Sequence, residues 1–93
     1  MNYNVVWSVL AQLALADVWA SSSDWGAVAQ ACRDVEQLLA TNPSAVGVVT
    51  FDTVREYTHG PLGIEFEVID PDCRVFVLTA WETATGRPNS TGN

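Results

Sequence analysis

Residues 62–81 decide the fold: Leu62-Gly63-Ile64-Glu65-Phe66-Glu67-Val68-Ile69, then Asp70-Pro71-Asp72-Cys73, then Arg74-Val75-Phe76-Val77-Leu78-Thr79-Ala80-Trp81. In the first run Ile64, Phe66 and Val68 alternate with Glu65 and Glu67. That is the two-residue period of a strand with one buried face and one wet face. The last run is almost continuously apolar, as expected of a central strand covered on both faces. Asp70-Pro71-Asp72 between them is turn chemistry, with proline supplying a fixed φ. The two runs read as a β-hairpin.

Upstream, His59-Gly60-Pro61 reads as a turn and Phe51 to Thr58 as an earlier, weaker strand, with Ser44–Thr50 a loop or part of it. Before that the period changes. Val28, Ala31, Cys32, Val35, Leu38 and Leu39 fall at helical spacing, with Gln30, Arg33, Asp34 and Gln37 elsewhere on the wheel, toward water. Ser23 or Asp24 is placed to cap this helix, and Thr41-Asn42-Pro43 stops it. A further helix is expected from Val9 to about Ala20, with Ser8 as its cap. Its stripe of Leu10, Leu13, Ala14, Val18 and Trp19 is widened by Val9 and Leu15, so contacts on more than one side are expected. Two helices joined so closely should form an antiparallel hairpin. The chain opens on Tyr3-Asn4-Val5-Val6-Trp7, residues suited to a short strand. The fold class is therefore α+β: an N-terminal strand, an α-helical hairpin, then a three-stranded, largely antiparallel sheet.

Ninety-three residues fit a single domain, assigned to residues 1–82; residues 83–93 lack apolar periodicity and read as a frayed tail. An apolar content of 48% is too high for disorder in the body of the chain. Eleven Asp and Glu stand against four Arg and no Lys, for a formal charge of −7. Nucleic-acid binders gain affinity by neutralising phosphates with cations, so Arg33, Arg55, Arg74 and Arg87 make direct nucleic-acid binding unexpected. No stretch approaches the roughly 18–20 apolar residues of a membrane span. Residues 1–4 carry no basic region of a leader, and Cys32 and Cys73 match no zinc or redox spacing. A cytoplasmic home with free thiols is the expectation.

The order of these pieces resembles the RelE/ParE superfamily of bacterial type II toxin–antitoxin toxins, over Tyr3 to Trp81. The resemblance is carried by the Tyr-x-Val-x-Trp opening, the helix ending near Val18-Trp19, and Leu38-Leu39-Ala40-Thr41-Asn42-Pro43. Val54-Arg55, the run Gly60 to Val68, the Asp70–Arg74 turn and Val75-Phe76-Val77-Leu78 complete it. It implies a small toxin neutralised by a cognate antitoxin wrapping its surface, with RelE-type members cutting mRNA at the ribosome and ParE-type members poisoning DNA gyrase. Two departures from the RNA-cutting pattern stand out: Gly63 where an Arg is usual on the hairpin's first strand, and Trp81-Glu82-Thr83-Ala84-Thr85 where basic residues and a Tyr are usual. Arg55 matches the Arg at the head of the Val-Arg strand in ParE-like members.

Metal-free RNA cleavage needs a base, an acid and positive charge on the phosphate. Arg55, Tyr57 and His59, spaced two apart, are the candidate catalytic set because alternation puts them on one strand face. Glu56, Glu65 and Glu67 would oppose an RNA backbone there. His59 with Glu56 or Asp52 has ligand-type residues but no ligand spacing, so neither metal nor cofactor is expected. Cys32 falls on an apolar helix face and reads as a core residue. Trp25, Arg55 and Trp81 are the candidate partner-binding residues. Non-enzymatic action by protein–protein binding is the leading expectation. The alternatives are a residual metal-independent ribonuclease and a detoxified structural or regulatory relative. An antitoxin for so acidic a chain should be neutral or basic, or meet it through a hydrophobic interface; gyrase is a candidate target, and a homodimer stays open.

Overall fold

Ser8 joins the first strand to the first helix without a linker. In the computed structural model, which describes residues 2–86, β1 (Asn4–Trp7) ends and α1 (Val9–Ser21) begins on either side of it. The Ser8 Oγ accepts from the Ala11 amide at 3.0 Å and donates to the Leu78 carbonyl at 3.2 Å, while its own amide donates to the Val77 carbonyl. The helix cap is thereby pinned to the strand beneath it.

The face of α1 that packs is not the expected Leu stripe. Ala11 and Val18 are buried, Ala14 and Leu15 lean on the core, and Val9, Leu10 and Leu13 are 73%, 67% and 61% exposed. Apolar residues surround this helix, so the wheel offers no single dominant face; the small side, Ala11 and Ala14, lets the helix lie close to the sheet. In α2 (Trp25–Thr41) the amphipathic reading holds: Val28, Ala31, Val35 and Leu39 are buried, and the Asp24 carboxylate caps the helix by accepting from the Ala27 amide at 3.0 Å.

Five strands form one sheet in the order β1-β5-β4-β3-β2. The segment read as one strand, Phe51 to Thr58, is instead a hairpin: β2 (Val48–Phe51) runs antiparallel to β3 (Val54–His59). The reversal sits on Asp52-Thr53, where Asp52 takes φ +54°. Asp tolerates that left-handed backbone, but Asp-Thr lacks the Asn-Gly or Asp-Gly signature that flags a two-residue turn. Just before β2, Gly47 has φ +69°, and a Cβ there would overlap the Glu56 carbonyl oxygen.

β3, β4 (Leu62–Ile69) and β5 (Arg74–Glu82) are antiparallel neighbours, and β1 pairs in parallel with β5. A register shift between Glu65↔Thr79 and Phe66↔Val77 leaves Leu78 as an extra residue. Alternation inverts across such a bulge. Val75 and Val77 precede it and Ala80 follows it on the helix-covered face, which turns Trp81 onto the opposite, open face above its pair partner Gly63.

The core lies between this sheet and both helices. Phe66, Leu39, Leu62, Ile64, Val28, Val35, Val75 and Val77 are fully buried, each contributing about 1.5–3 kcal/mol. No helix among the described residues is long and apolar enough to cross a membrane. Of the stretch expected to fray, Thr83 to Gly86 form a turn bonded to the β3–β4 loop, with the Thr83 amide on the Pro61 carbonyl and its hydroxyl on Gly60. The rest of that stretch, including Arg87, lies outside the described residues.

Candidate functional site

Arg55, Tyr57 and His59 do share the helix-facing side of β3, yet they do not form one group. The Arg55 guanidinium donates from Nε to the Val46 carbonyl at 2.9 Å and from Nη2 to the Gly47 carbonyl at 3.1 Å. It clamps the loop leading into β2, and a phosphate would have to compete with both carbonyls. Tyr57 and His59 belong to a separate chain of hydrogen bonds: Tyr57 Oη lies 3.0 Å from His59 Nδ1, and His59 Nε2 lies 3.0 Å from Asp34 Oδ2. With the carboxylate accepting from Nε2–H, Nδ1 is left to accept from the phenol; this tautomer is assigned from the network.

Asp34, expected to face water, is the residue the sequence reading missed. Gln30 donates to its other oxygen at 2.8 Å, and Arg33 in turn donates to Gln30 at 2.9 Å. The Gln30 and His59 hydrogen bonds hold the Asp34 carboxyl below its ordinary value, Gln30 contributing most. Nothing within α2 distinguishes Asp34 from its neighbours; only the meeting of α2 with the end of β3 does. The chain carboxylate–imidazole–phenol can orient a base, but the guanidinium that would supply positive charge is held elsewhere.

The open face of the sheet is acidic. Cross-strand register puts Glu56 opposite Glu65 there, with Glu67 two residues along β4. Among the described arginines, Arg33 bonds Gln30, Arg55 bonds backbone, and Arg74 stacks over Phe76 at 5.9 Å. No two of them converge in these contacts. At Gly63, a Cβ would overlap the Trp81 indole, so the space beside this strand position is filled by a tryptophan ring.

Trp81 is 5% exposed, which corrects its reading as a partner-binding residue: it is a packed ring that shapes the open face. Trp25 is 63% exposed, held by an Nε1–H donation to the Trp19 carbonyl at 2.8 Å and an edge-to-face contact with the Trp19 ring.

A groove of about 630 Å³ runs along β1, walled by Val5, Val6, Trp7, Leu15, Trp19 and Cys32, with Gln12, Ala16 and Glu36 at its margin. β1 is an edge strand. The Asn4 and Ser8 amides point to β5, where they meet the Cys73 and Val77 carbonyls, so alternation turns the backbone groups of Val5 and Trp7 outward. Gln12 Nε2 already satisfies the Trp7 carbonyl, leaving the Val5 N–H and C=O and the Trp7 N–H facing the groove side. Trp7 Nε1–H donates to Glu36 at 2.9 Å, which fixes a carboxylate beside the apolar wall. Burial, and then the nearby Glu36, push the Cys32 thiol up, so it is a packing group and not a reactive one.

No protein-family model matches the chain, and no characterised protein matches it by sequence. Solved structures do match it in three dimensions. Against the RelBE2 toxin–antitoxin complex of Mycobacterium tuberculosis the TM-score is 0.75, with 16% identity over 90% of this chain and 94% of that one. Against the intact E. coli RelBE complex it is 0.60, with 16% identity over 87% and 96%. The isolated E. coli RelE toxin gives 0.59, with 14% identity over 96% and 89%. The chain has the α+β fold of the RelE toxins.

Proposed function

We propose, taking the RelE-like toxin fold as premise, that this chain is the toxin-like component of a toxin–antitoxin pair and acts by binding proteins. The observation that carries the reading is the β1 groove: an apolar trough beside an edge strand with three outward backbone polar groups. A partner segment laid there would complete the sheet edge and bury the trough in one step. With Glu36 on its margin and a chain charge of −7, the fitting antitoxin segment is neutral or basic, or chiefly apolar. The same electrostatics favour a protein target, of which gyrase is one candidate, over an RNA strand. Induction in bacteria should arrest growth, and co-expression of the neighbouring reading frame's product should relieve the arrest. The two proteins should co-purify, and Ala16→Arg, at an exposed groove position, should weaken the complex. Normal growth with well-folded protein would instead favour a module that kept the fold without the toxicity.

One observation favours a second reading. The Tyr57–His59–Asp34 chain has the hydroxyl–base–orienter order of an acid–base relay, which is what a residual metal-independent ribonuclease would need. Translation-coupled mRNA cleavage lost in His59→Ala would support it, and cleavage surviving Arg55→Ala with His59→Ala would remove it.

A further inference from the structure

The free edge of β1 is closed off at both ends. The Tyr3 amide donates to the Ala40 carbonyl at 2.7 Å, and Gln12 Nε2 donates to the Trp7 carbonyl at 2.9 Å. Between these closures lie the Val5 N–H and C=O and the Trp7 N–H, so an added strand has one short window to use. Val5 and Trp7 both lean on the core, on the helix-covered face. Paired residues of neighbouring strands point to the same face. The partner residues set beside Val5 and Trp7, two positions apart, therefore enter the groove whichever way the strand runs.

These two places differ chemically. Val5 presents hydrocarbon alone. Trp7 presents an indole with a carboxylate fixed to it, because its Nε1–H donates to Glu36 Oε2 at 2.9 Å. Glu36 forms no ion pair among the described residues. Arg33, three residues before it on α2, donates to Gln30 instead. A segment that covers the groove strips water from this carboxylate, and a covered charge needs a partner. An apolar residue beside it leaves it bare, an acid repels it, and a lysine or arginine neutralises it.

We propose, resting on the reading of the β1 groove as a partner site, that Glu36 is its specificity-determining residue. It selects an extended segment with a lysine or arginine two positions from an apolar residue. The methylene stem of either side chain suits the apolar wall while its charged head reaches Glu36. The Trp7 indole adds attraction for a cation beside it. One carboxylate at one place in the groove thus chooses the occupant, independently of net charge.

Random heptapeptides displayed on phage and selected on the full chain should enrich lysine or arginine two positions from an aliphatic or aromatic residue. Selection on Glu36→Lys should enrich an acid at the same place. A synthetic peptide from the first set should bind at least about threefold more weakly to Glu36→Gln, which can still accept from Trp7 but has lost the charge. Asp52→Asn changes net charge equally at the opposite side of the sheet and should leave binding unchanged. Glutamate in place of the peptide's cation should weaken binding to the parent chain at least about tenfold, and Glu36→Lys should recover it. Ala16→Arg should abolish binding, with circular dichroism checking that each variant is folded. Should Glu36→Lys fail to fold, the comparison of Glu36→Gln with Asp52→Asn decides the matter. Peptides that depend on Ala16 yet prefer no cation, or lose equally to Glu36→Gln and Asp52→Asn, overturn the role of Glu36 and leave the β1 reading standing. If no peptide's binding depends on Ala16, both fall.

Discussion

A methyl group added at Gly63 tests how the open face is built. Its Cβ would overlap Nε1 and Cε2 of the Trp81 indole and lie 2.8 Å from Cζ2. Trp81 is 5% exposed, so the ring has little room to retreat. Forcing a methyl into such a site costs about 1–3 kcal/mol. The intrinsic gain of alanine over glycine in a strand is only about 0.5–1 kcal/mol, so the clash wins. Gly63→Ala should therefore destabilise the protein, lowering Tm by about 4–8 °C per kcal/mol in a domain of this size. Trp81→Ala removes the obstacle at its own cost of about 3–5 kcal/mol. In that background the added methyl meets open space, and Gly63→Ala should turn neutral or stabilising, for a coupling of roughly 2 kcal/mol or more. Urea titrations of the four members of this cycle, followed by far-ultraviolet circular dichroism, give the number. Sucrose keeps the weakest member folded. Equal cost for Gly63→Ala in both backgrounds would refute the account of Trp81 as a plug over Gly63.

Arg55→Ala should cost about 1.5–3 kcal/mol through loss of charge-assisted bonds to the Val46 and Gly47 carbonyls, read by urea denaturation. Arg55→Lys should not rescue it, because a single ammonium lacks the fork that reaches both carbonyls. Gly47→Ala should cost at least about 1 kcal/mol and loosen the β2–β3 pairing, seen as faster amide exchange in β2, since φ is +69° and the Glu56 carbonyl blocks the Cβ. Asp34 has a folded-state pKa below its ordinary 3.8, so its hydrogen bonds stabilise the protein fully above that ordinary value. The contribution fades as pH falls through the lower folded value. Tm measured from pH 6 down to pH 2 should fall less steeply for Asp34→Asn than for the parent chain.

The elements were legible where one chemical period ruled a segment. Val28, Ala31, Val35 and Leu39 occupy their expected burial, and the Ile64–Phe66–Val68 alternation gives β4 as read. Reading failed where the deciding partner is far away in sequence. The apolar wheel of α1 could not say that Ala11 and Ala14, and not Leu10 and Leu13, would meet β5. The β2–β3 reversal hid behind an Asp-Thr turn without a glycine. The bulge at Leu78, which carries Trp81 from one face to the other, has no local signature, so a tryptophan read as a contact became a buried plug. At the site, the spacing of Arg55, Tyr57 and His59 correctly put them on one side of a strand. It could not reveal that Arg55 would turn to backbone carbonyls while His59 turned to Asp34 across 25 residues.

The parallel pairing of β1 with β5 has a temporal meaning. Ser8 and Leu78, which lock that edge, stand 70 residues apart, so β1 leaves the ribosome well before the strand it pairs with. Until β5 emerges, β1 has no strand to pair with and α1 has no floor, so the trough between them is incomplete. A chain cut short upstream of Val75 would be unable to assemble the surface at all. Whatever this protein grips through that trough, it becomes able to do so in a single event, when β5 joins β1.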